Sequence, residues 1–439
     1  MELGRPRAFN EVDDAALQAE LVTHEVTAFA PVPSSARHRW TILTVLLLVT
    51  VVNFIDRQTL SILAPVLRAA LHLSNQQYGR IVSLFQFGML SGEFPMGYIM
   101  DRWGARLGLS FAVLWWSGAT GAQVFARNGL DFGLARFWMG TGECGNYSGG
   151  VKTLTRLFPR KDRTLALGIF NSGSMVGSTI AVPVIVFLLQ HYGFRTAFLV
   201  PALAGVLWVP LWWFAYGKEH KDPEVDERSR TSLREMLRSS ESWAIMAMRF
   251  FIGPVMQFYW YWIPSYLVEV RHMSMRELGW LGWIPFLLGS VGGVAGGWAA
   301  GLLHRRGMST VNVRKVLMYS SSFLCLASVL VPLQHRAGMA VMLIGVAIFA
   351  DNFVSANMFG AVTDLYPEEH VGRATGLTGV AGGLSGLLFP LLTGWVVDHG
   401  SYSPVFIMVG LMPLIGTAAV FLISRRYRNW NRQLSSLTA

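Results

Sequence analysis

Twelve apolar stretches constrain this chain more than any other feature, because each is long enough to cross a hydrocarbon core of about 30 Å. They run roughly over residues 40–66, 78–100, 107–126, 131–156, 164–190, 195–215, 243–269, 278–303, 315–334, 338–364, 372–397 and 403–424. Only helices or closed barrels satisfy backbone polar groups inside a bilayer, and spans of this length select helices. Charged residues make up 14% of the chain, against about 25% in soluble proteins. The expected fold class is therefore an all-α, multi-pass membrane protein. A net charge of +10 and a pI near 9.8 do not indicate nucleic acid, because the basic residues lie in loops, where membrane topology accounts for them.

One densely charged interruption, residues 216–242, divides the spans six and six. This predicts an N-terminal half over 39–215, a cytosolic linker over 216–242 and a C-terminal half over 243–424. Residues 1–38 are acidic and lack an apolar core, so they read as a cytosolic tail rather than a cleavable signal; residues 425–439 read as a second tail. The linker ends in SLREMLRS, which suits a short amphipathic surface helix. With both termini cytoplasmic, about 25 Lys and Arg fall inside and about 7 outside, as the positive-inside rule requires. The two cysteines, Cys144 and Cys325, lie in separate spans and read as small buried side chains.

An internal repeat supports two related halves. TRLFPRKDRTLALG, from Thr155, aligns with TDLYPEEHVGRATG, from Thr363. The offset of 208 residues also holds for Leu157/Leu365, Pro159/Pro367, Gly168/Gly376, His191/His399 and Phe198/Phe406. Duplicated halves are a common transporter design.

Charges inside spans mark the candidate site, since each costs roughly 2.5–3.5 kcal/mol at the bilayer centre. The fourth span holds Arg136 and Glu143 in LARFWMGTGECGN. Seven residues apart, the two share a helix face, and the expectation is that they pair. In the first span NFIDRQTLS sets Asp56 beside Arg57. Adjacent residues diverge by about 100°, so one faces a cavity and the other a neighbouring helix. Between spans two and three lies GYIMDRWGARLG, residues 97–108, with a degraded copy, GLLHRRG, from Gly301.

That loop resembles the signature of the major facilitator superfamily, and twelve spans in two halves resemble its fold. The resemblance implies a gate in which Asp101, Arg102 and Arg106 lock and release the cytoplasmic ends of the halves. The acid-Arg pair in span one and the Arg and Glu seven apart in span four resemble the anion:cation symporter family. That family includes hexuronate and galactonate transporters and the vesicular glutamate transporters. RFFIGPVMQFYWYWIPSYL and LFPRKDRTLALGIFNSGS look closest to its hexuronate-type members. The likeness covers nearly the whole chain beyond the tail. It implies that Arg57 and Arg136 hold a substrate carboxylate, that Asp56 and Glu143 carry protons, and that Arg249 is a third cation.

Physical chemistry suits those roles. A guanidinium stays charged and grips a carboxylate with two parallel bonds, while a desolvated carboxylic acid gains and loses its proton as nearby charge changes. Gln86, Asn171, Gln257, Tyr261 and Asn352 are further polar candidates for a hydroxylated substrate. Galactonate-like members carry an aromatic hydroxyl near Met89 and an amide near Gly382 or Gly383; this chain departs from both.

The expected function is proton-coupled import of an organic anion by alternating access, at a site lined by spans one, four, seven and ten. A sugar acid such as a hexuronate or aldonate, or another carboxylate, is the expected substrate. An anion exchanger or exporter of the same fold is the rival, and a transporter-like receptor a more distant one. The span-five sequence NSGSMVGSTIAVP lacks the Gly-Pro usual in exporters. Scattered histidines without a catalytic or metal-spaced cluster argue against an enzyme. No cofactor is expected beyond a driving proton. The expected protein is a monomer in a bacterial inner membrane, with the bilayer and a small carboxylate as partners.

Overall fold

The computed structural model describes residues 35–217, 233–366, 368–424 and 427, so the N-terminal tail, most of the linker and most of the C-terminal tail lie outside the described residues. The described residues are almost wholly helical. Span one is Ala36–Leu71, spans two and three share the helix Asn75–Ala122, span four is Gly129–Leu157, and spans five and six share Arg160–Tyr216. Span seven is Ser240–Ser265, span eight Ile284–Arg305, span nine begins as Thr310–Leu324, span ten is Ala337–Leu365, span eleven Glu368–His399 and span twelve Ser403–Ile423. A helix over Leu233–Arg238 occupies the end of the linker.

Among the described residues, seven helices are long and apolar enough to cross a membrane, and one of them, Leu165–Tyr216, contains two spans. Spans two, three, four and seven fall short because glycines, charges and tyrosine or tryptophan dilute their hydropathy. These include the helices that carry the charged side chains considered below.

Two glycines turn the merged helices. Gly104 (φ 76°, ψ 169°) separates spans two and three, and Gly193 (φ 82°, ψ 172°) separates spans five and six. That backbone region is essentially closed to side-chain-bearing residues. Several helix starts are capped by side chains. Ser74 and Gln77 form a reciprocal capping box at span two, and Asn128 accepts from the Asp131 amide at span four. Each cap satisfies amides that a helix start leaves open.

The repeat extends to the helices themselves. Gly129–Leu157 and Ala337–Leu365 are both 29 residues long and lie 208 residues apart at each end. Within the N-terminal half, span two packs on span four and span one on the span-five/six helix; in the C-terminal half, span ten packs on span eight. The halves meet along three seams: span two with eleven, one with seven, and five with eight.

The bonds described across those seams cluster at the end of the bundle away from the chain termini. Arg68 donates to both Glu269 carboxylate oxygens at 2.8 and 3.0 Å. The Asp398 carboxylate accepts from the backbone amides of Asn75 and Gln76 at 2.9 and 2.7 Å, where exposed N–H groups and the helix dipole favour an anion. Tyr78 donates to the Tyr261 carbonyl at 2.7 Å and Ser83 to the Leu387 carbonyl at 2.8 Å.

Candidate functional site

Close backbone approach between spans two and four sets the site. A Cβ on Gly88 would lie 2.2 Å from the Phe137 carbonyl oxygen, and one on Gly140 would lie 2.3 Å from that of Phe85. Small residues permit such contact in a membrane, where helices gain little from hydrophobic burial against one another. The approach brings Phe85, Arg136 and Glu143 against span one.

Arg57 is the centre of the cluster. Its Nε and Nη2 donate to Glu143 Oε2 at 2.9 and 2.5 Å. The Arg57 side chain is 12% exposed and that of Glu143 fully buried. Arg136, 1% exposed, donates Nη2 to the Arg57 carbonyl at 2.8 Å, and its Nη1 lies 3.1 Å from the Met139 sulfur. Both guanidinium carbons lie 5.2 Å from the centroid of the Phe85 ring, which faces two cations at once. Such contacts are worth more when desolvated.

The expected Arg136–Glu143 pair is therefore replaced by an Arg57–Glu143 pair. Seven residues return a side chain to the same helix face but also move it about 10 Å along the axis, so the carboxylate reaches span one instead. Three atoms in the cluster have no hydrogen-bond partner among the described residues: Arg136 Nε, Glu143 Oε1 and Asn53 Nδ2.

Asp56 takes the other direction. It is fully buried, both its oxygens lack a hydrogen-bond partner among the described residues, and the Trp116 indole of span three is beside it, with Glu143 and Arg136 as charged neighbours. The adjacent acid and base thus divide as helix geometry requires.

Tyr261 and Gln86 bridge the halves above the cluster. Gln86 Nε2 lies 3.5 Å from the Tyr261 hydroxyl, and both residues are buried. Gln257 packs against Gly386 of span eleven, with its Oε1 unpartnered among the described residues. Asn352 donates to the Ile348 carbonyl at 3.0 Å and lies 3.7 Å from the Met256 sulfur. Asn171 is exposed on span five, away from any hydrogen bond of its own side chain among the described residues.

Arg249 approaches from span seven. Its Nε lies 2.8 Å from where a Cβ on Gly382 would sit, and its guanidinium carbon is 5.7 Å from the Phe359 centroid. Its charged neighbour is Asp351 of span ten, a residue the sequence reading passed over. Asp351 is 1% exposed. The signal was present: Asp351 lies 208 residues after Glu143, at the offset of the repeat.

The loop residues lie apart from this cluster. Asp101 accepts from Lys152 of span four at 3.1 Å, and the Arg106 guanidinium stacks 4.3 Å from the Trp213 ring of span six. Both of these contacts are internal to the N-terminal half, and Arg102 is exposed. Cys144 and Cys325 are free and buried.

The chain matches the Major Facilitator Superfamily over residues 46–350 and 306–436. Among similar proteins is the Hexuronate transporter of Escherichia coli (strain K12), 26% identical over 404 residues that cover 88% of this chain and 94% of the relative. The Hexuronate transporter of Bacillus subtilis (strain 168) is 29% identical over 401 residues, covering 87% and 93%. The Probable L-galactonate transporter of E. coli (strain K12) is 26% identical over 415 residues, covering 89% and 90%. A solved structure of a bacterial homologue of the human lysosomal transporter Spinster, inward-facing and unoccupied, shares the fold with a TM-score of 0.74. It covers 90% of this chain and 99% of its own at 19% identity.

Proposed function

Since the chain belongs to the Major Facilitator Superfamily, we propose that it is a proton-coupled symporter importing an organic anion, with a sugar acid such as a hexuronate or aldonate as the leading class. The relatives named as hexuronate and galactonate transporters support the substrate class. The observation that carries the mechanism is the shared edge of Arg57, whose Nε and Nη2 both engage one Glu143 oxygen.

A substrate carboxylate is suited to that same two-pronged edge. With Asp56 and Glu143 ionised, the buried cluster of two arginines and two acids is neutral. An arriving anion makes it negative, and an uncompensated charge in a dry site is costly. Displacing Glu143 from Arg57 and protonating it restores neutrality. Arg136 then holds the second face of the substrate carboxylate, and Asp56 gives the proton a further buried station. Anion and proton thereby enter together, without a separate signal.

The bonds at the end away from the termini hold that end shut. In the orientation expected from Lys and Arg, this is the outward side. Import requires those bonds to break and re-form as the halves rock about the central site.

The test is uptake into proteoliposomes. An inward-directed proton gradient is expected to concentrate glucuronate or galactonate above the external level, and collapsing the gradient to abolish accumulation. Accumulation indifferent to the gradient contradicts the proposal.

A further inference from the structure

We propose that Glu93 of span two is the proton exit station on the cytoplasmic side: it takes the proton from Glu143 and hands it to cytoplasmic water. The inference rests on the symport reading above and adds the route by which the proton leaves.

Glu93 is a carboxylate well inside span two, and it is exposed. An acid at that depth is costly against lipid, and helix geometry turns it elsewhere. The exposed Phe87, Phe94 and Tyr98 lie about 100° or more round the helix from it. Gln86, seven residues earlier, shares its face to within about 20°, and Gln86 reaches Tyr261 of the C-terminal half. Leu90, one turn before Glu93, meets Gly383 of that half. Glu93 therefore continues the face that span two turns towards the opposite half, about 10 Å nearer than Gln86 to the loop at residues 97–108. In the orientation expected from Lys and Arg, that loop is cytoplasmic.

Two sets of contacts join Glu93 to the proton carrier. Met89 precedes it by one helical turn, and the Met89 sulfur lies 4.0 Å from Arg57 Nη2, the nitrogen that holds Glu143 Oε2. A Cβ on Gly92 would lie 2.8 Å from Cys144 Sγ, so the residue before Glu93 touches the residue after Glu143. Cys144 has both Glu93 and Glu143 as electrostatic neighbours. The Glu143 side chain is fully buried, and its Oε1 has no hydrogen-bond partner among the described residues. A buried acid and an exposed acid thus stand on two helices that touch between them.

The titratable groups that adjoin Glu93 through these contacts are Cys144 and Glu143 from span four and Arg57 from span one. On span two its neighbours one turn away are Met89, Leu90, Met96 and Gly97, none of which titrates. Across the seam, span eleven presents Gly383 to Leu90, and Arg249 of span seven lies against the adjacent Gly382. Asp101 and Lys152, nearer the loop, pair with each other. When substrate leaves, protonated Glu143 must ionise before it closes on Arg57. Its proton passes through water to the Glu93 carboxylate, which becomes the neutral acid as Glu143 becomes the anion. The Arg57–Glu143 bonds re-form, and Glu93 then gives the proton to cytoplasmic water and is ionised again.

The test uses the full chain in proteoliposomes, with its Glu93→Gln and Glu93→Asp variants and whichever of glucuronate and galactonate the wild type accumulates. Gradient-driven accumulation and substrate counterflow are measured in light and in heavy water. Glu93→Gln is expected to slow accumulation about tenfold or more, while counterflow, which needs no net proton release, changes much less. Glu93→Asp is expected to restore most of the rate. Proton release becomes the slow step in Glu93→Gln, so heavy water slows its accumulation by a larger factor than that of the wild type. Accumulation by Glu93→Gln at the wild-type rate, an equal loss of both transport modes, or a heavy-water factor unchanged from the wild type overturns the inference and leaves symport intact. A wild type whose accumulation ignores the proton gradient strikes the symport reading itself.

Discussion

The two halves carry their buried charge differently. In the N-terminal half, Arg57 and Glu143 are in direct contact, Arg136 is tied to the Arg57 backbone, and one ring, Phe85, faces both cations. In the C-terminal half, Arg249 and Asp351 are electrostatic neighbours without an ion pair, and the Arg249 guanidinium lies against Gly382, Gly253 and the Phe359 ring. Duplication kept the helix bounds and the position of the carboxylate, but it did not keep the arginine that closes on it. A closed, bidentate pair is a latch that a competing carboxylate can open. A parted pair is an open field that steers an anion without having to release one. In the proposed function, affinity and proton exchange fall to the Arg57–Glu143 pair of the N-terminal half.

Five substitutions in three experiments test that contrast, in decreasing order of effect. Arg136→Lys should weaken binding of a sugar monoacid by roughly 100-fold or more, since losing one partner of a buried charge network costs about 3–5 kcal/mol and an ammonium cannot reproduce the fork. Arg249→Lys should change the same affinity far less. A ligand-induced thermal shift measures both, and equal losses would erase the distinction between the halves.

Gly88→Ala and Gly382→Ala separate the halves by packing. The first drives a methyl group into the Phe137 carbonyl, which is backbone, whereas the second meets only the flexible end of Arg249. Overpacking of about 1–3 kcal/mol is expected for Gly88→Ala and little loss for Gly382→Ala, read as melting temperature in detergent. Similar melting temperatures would show that the span-two/span-four seam is looser than its backbone contacts indicate.

The smallest effect is expected from Arg68→Ala. The Arg68–Glu269 pair is partly exposed, and such pairs contribute about 0–1 kcal/mol. Its loss should shift the balance towards the outward-open state by no more than about fivefold, measurable by cysteine accessibility at the outer ends of spans one and seven. A much larger shift would make this pair, rather than the Asp398 cap on span two, the main outer latch.

Much of this was legible in the sequence. Span count, the six-and-six division and the repeat follow from apolar length, charge placement and a fixed offset, all local properties. The divergence of Asp56 from Arg57 follows from helix geometry alone. The partner of Glu143 does not, because a shared face specifies direction and not height, and the reach to Arg57 depends on how span four lies against span one. Asp351 lies in the 208-residue register with Glu143, but a single carboxylate beside Asn352 carries no local motif of its own. The room around Arg249 was hidden for a different reason: Gly382 is 133 positions away, and only tertiary packing brings them together. The glycine turns at Gly104 and Gly193 are the local exception, where a required positive φ reads directly as glycine.

The central claim is that Glu143 is both the partner of Arg57 and the proton carrier. Glu143→Gln keeps the shape and removes the charge, so the most direct measurement compares two modes of transport in one proteoliposome preparation. The account predicts that gradient-driven accumulation is abolished while substrate counterflow, which needs no net proton movement, continues. Accumulation at the wild-type rate in Glu143→Gln would contradict it.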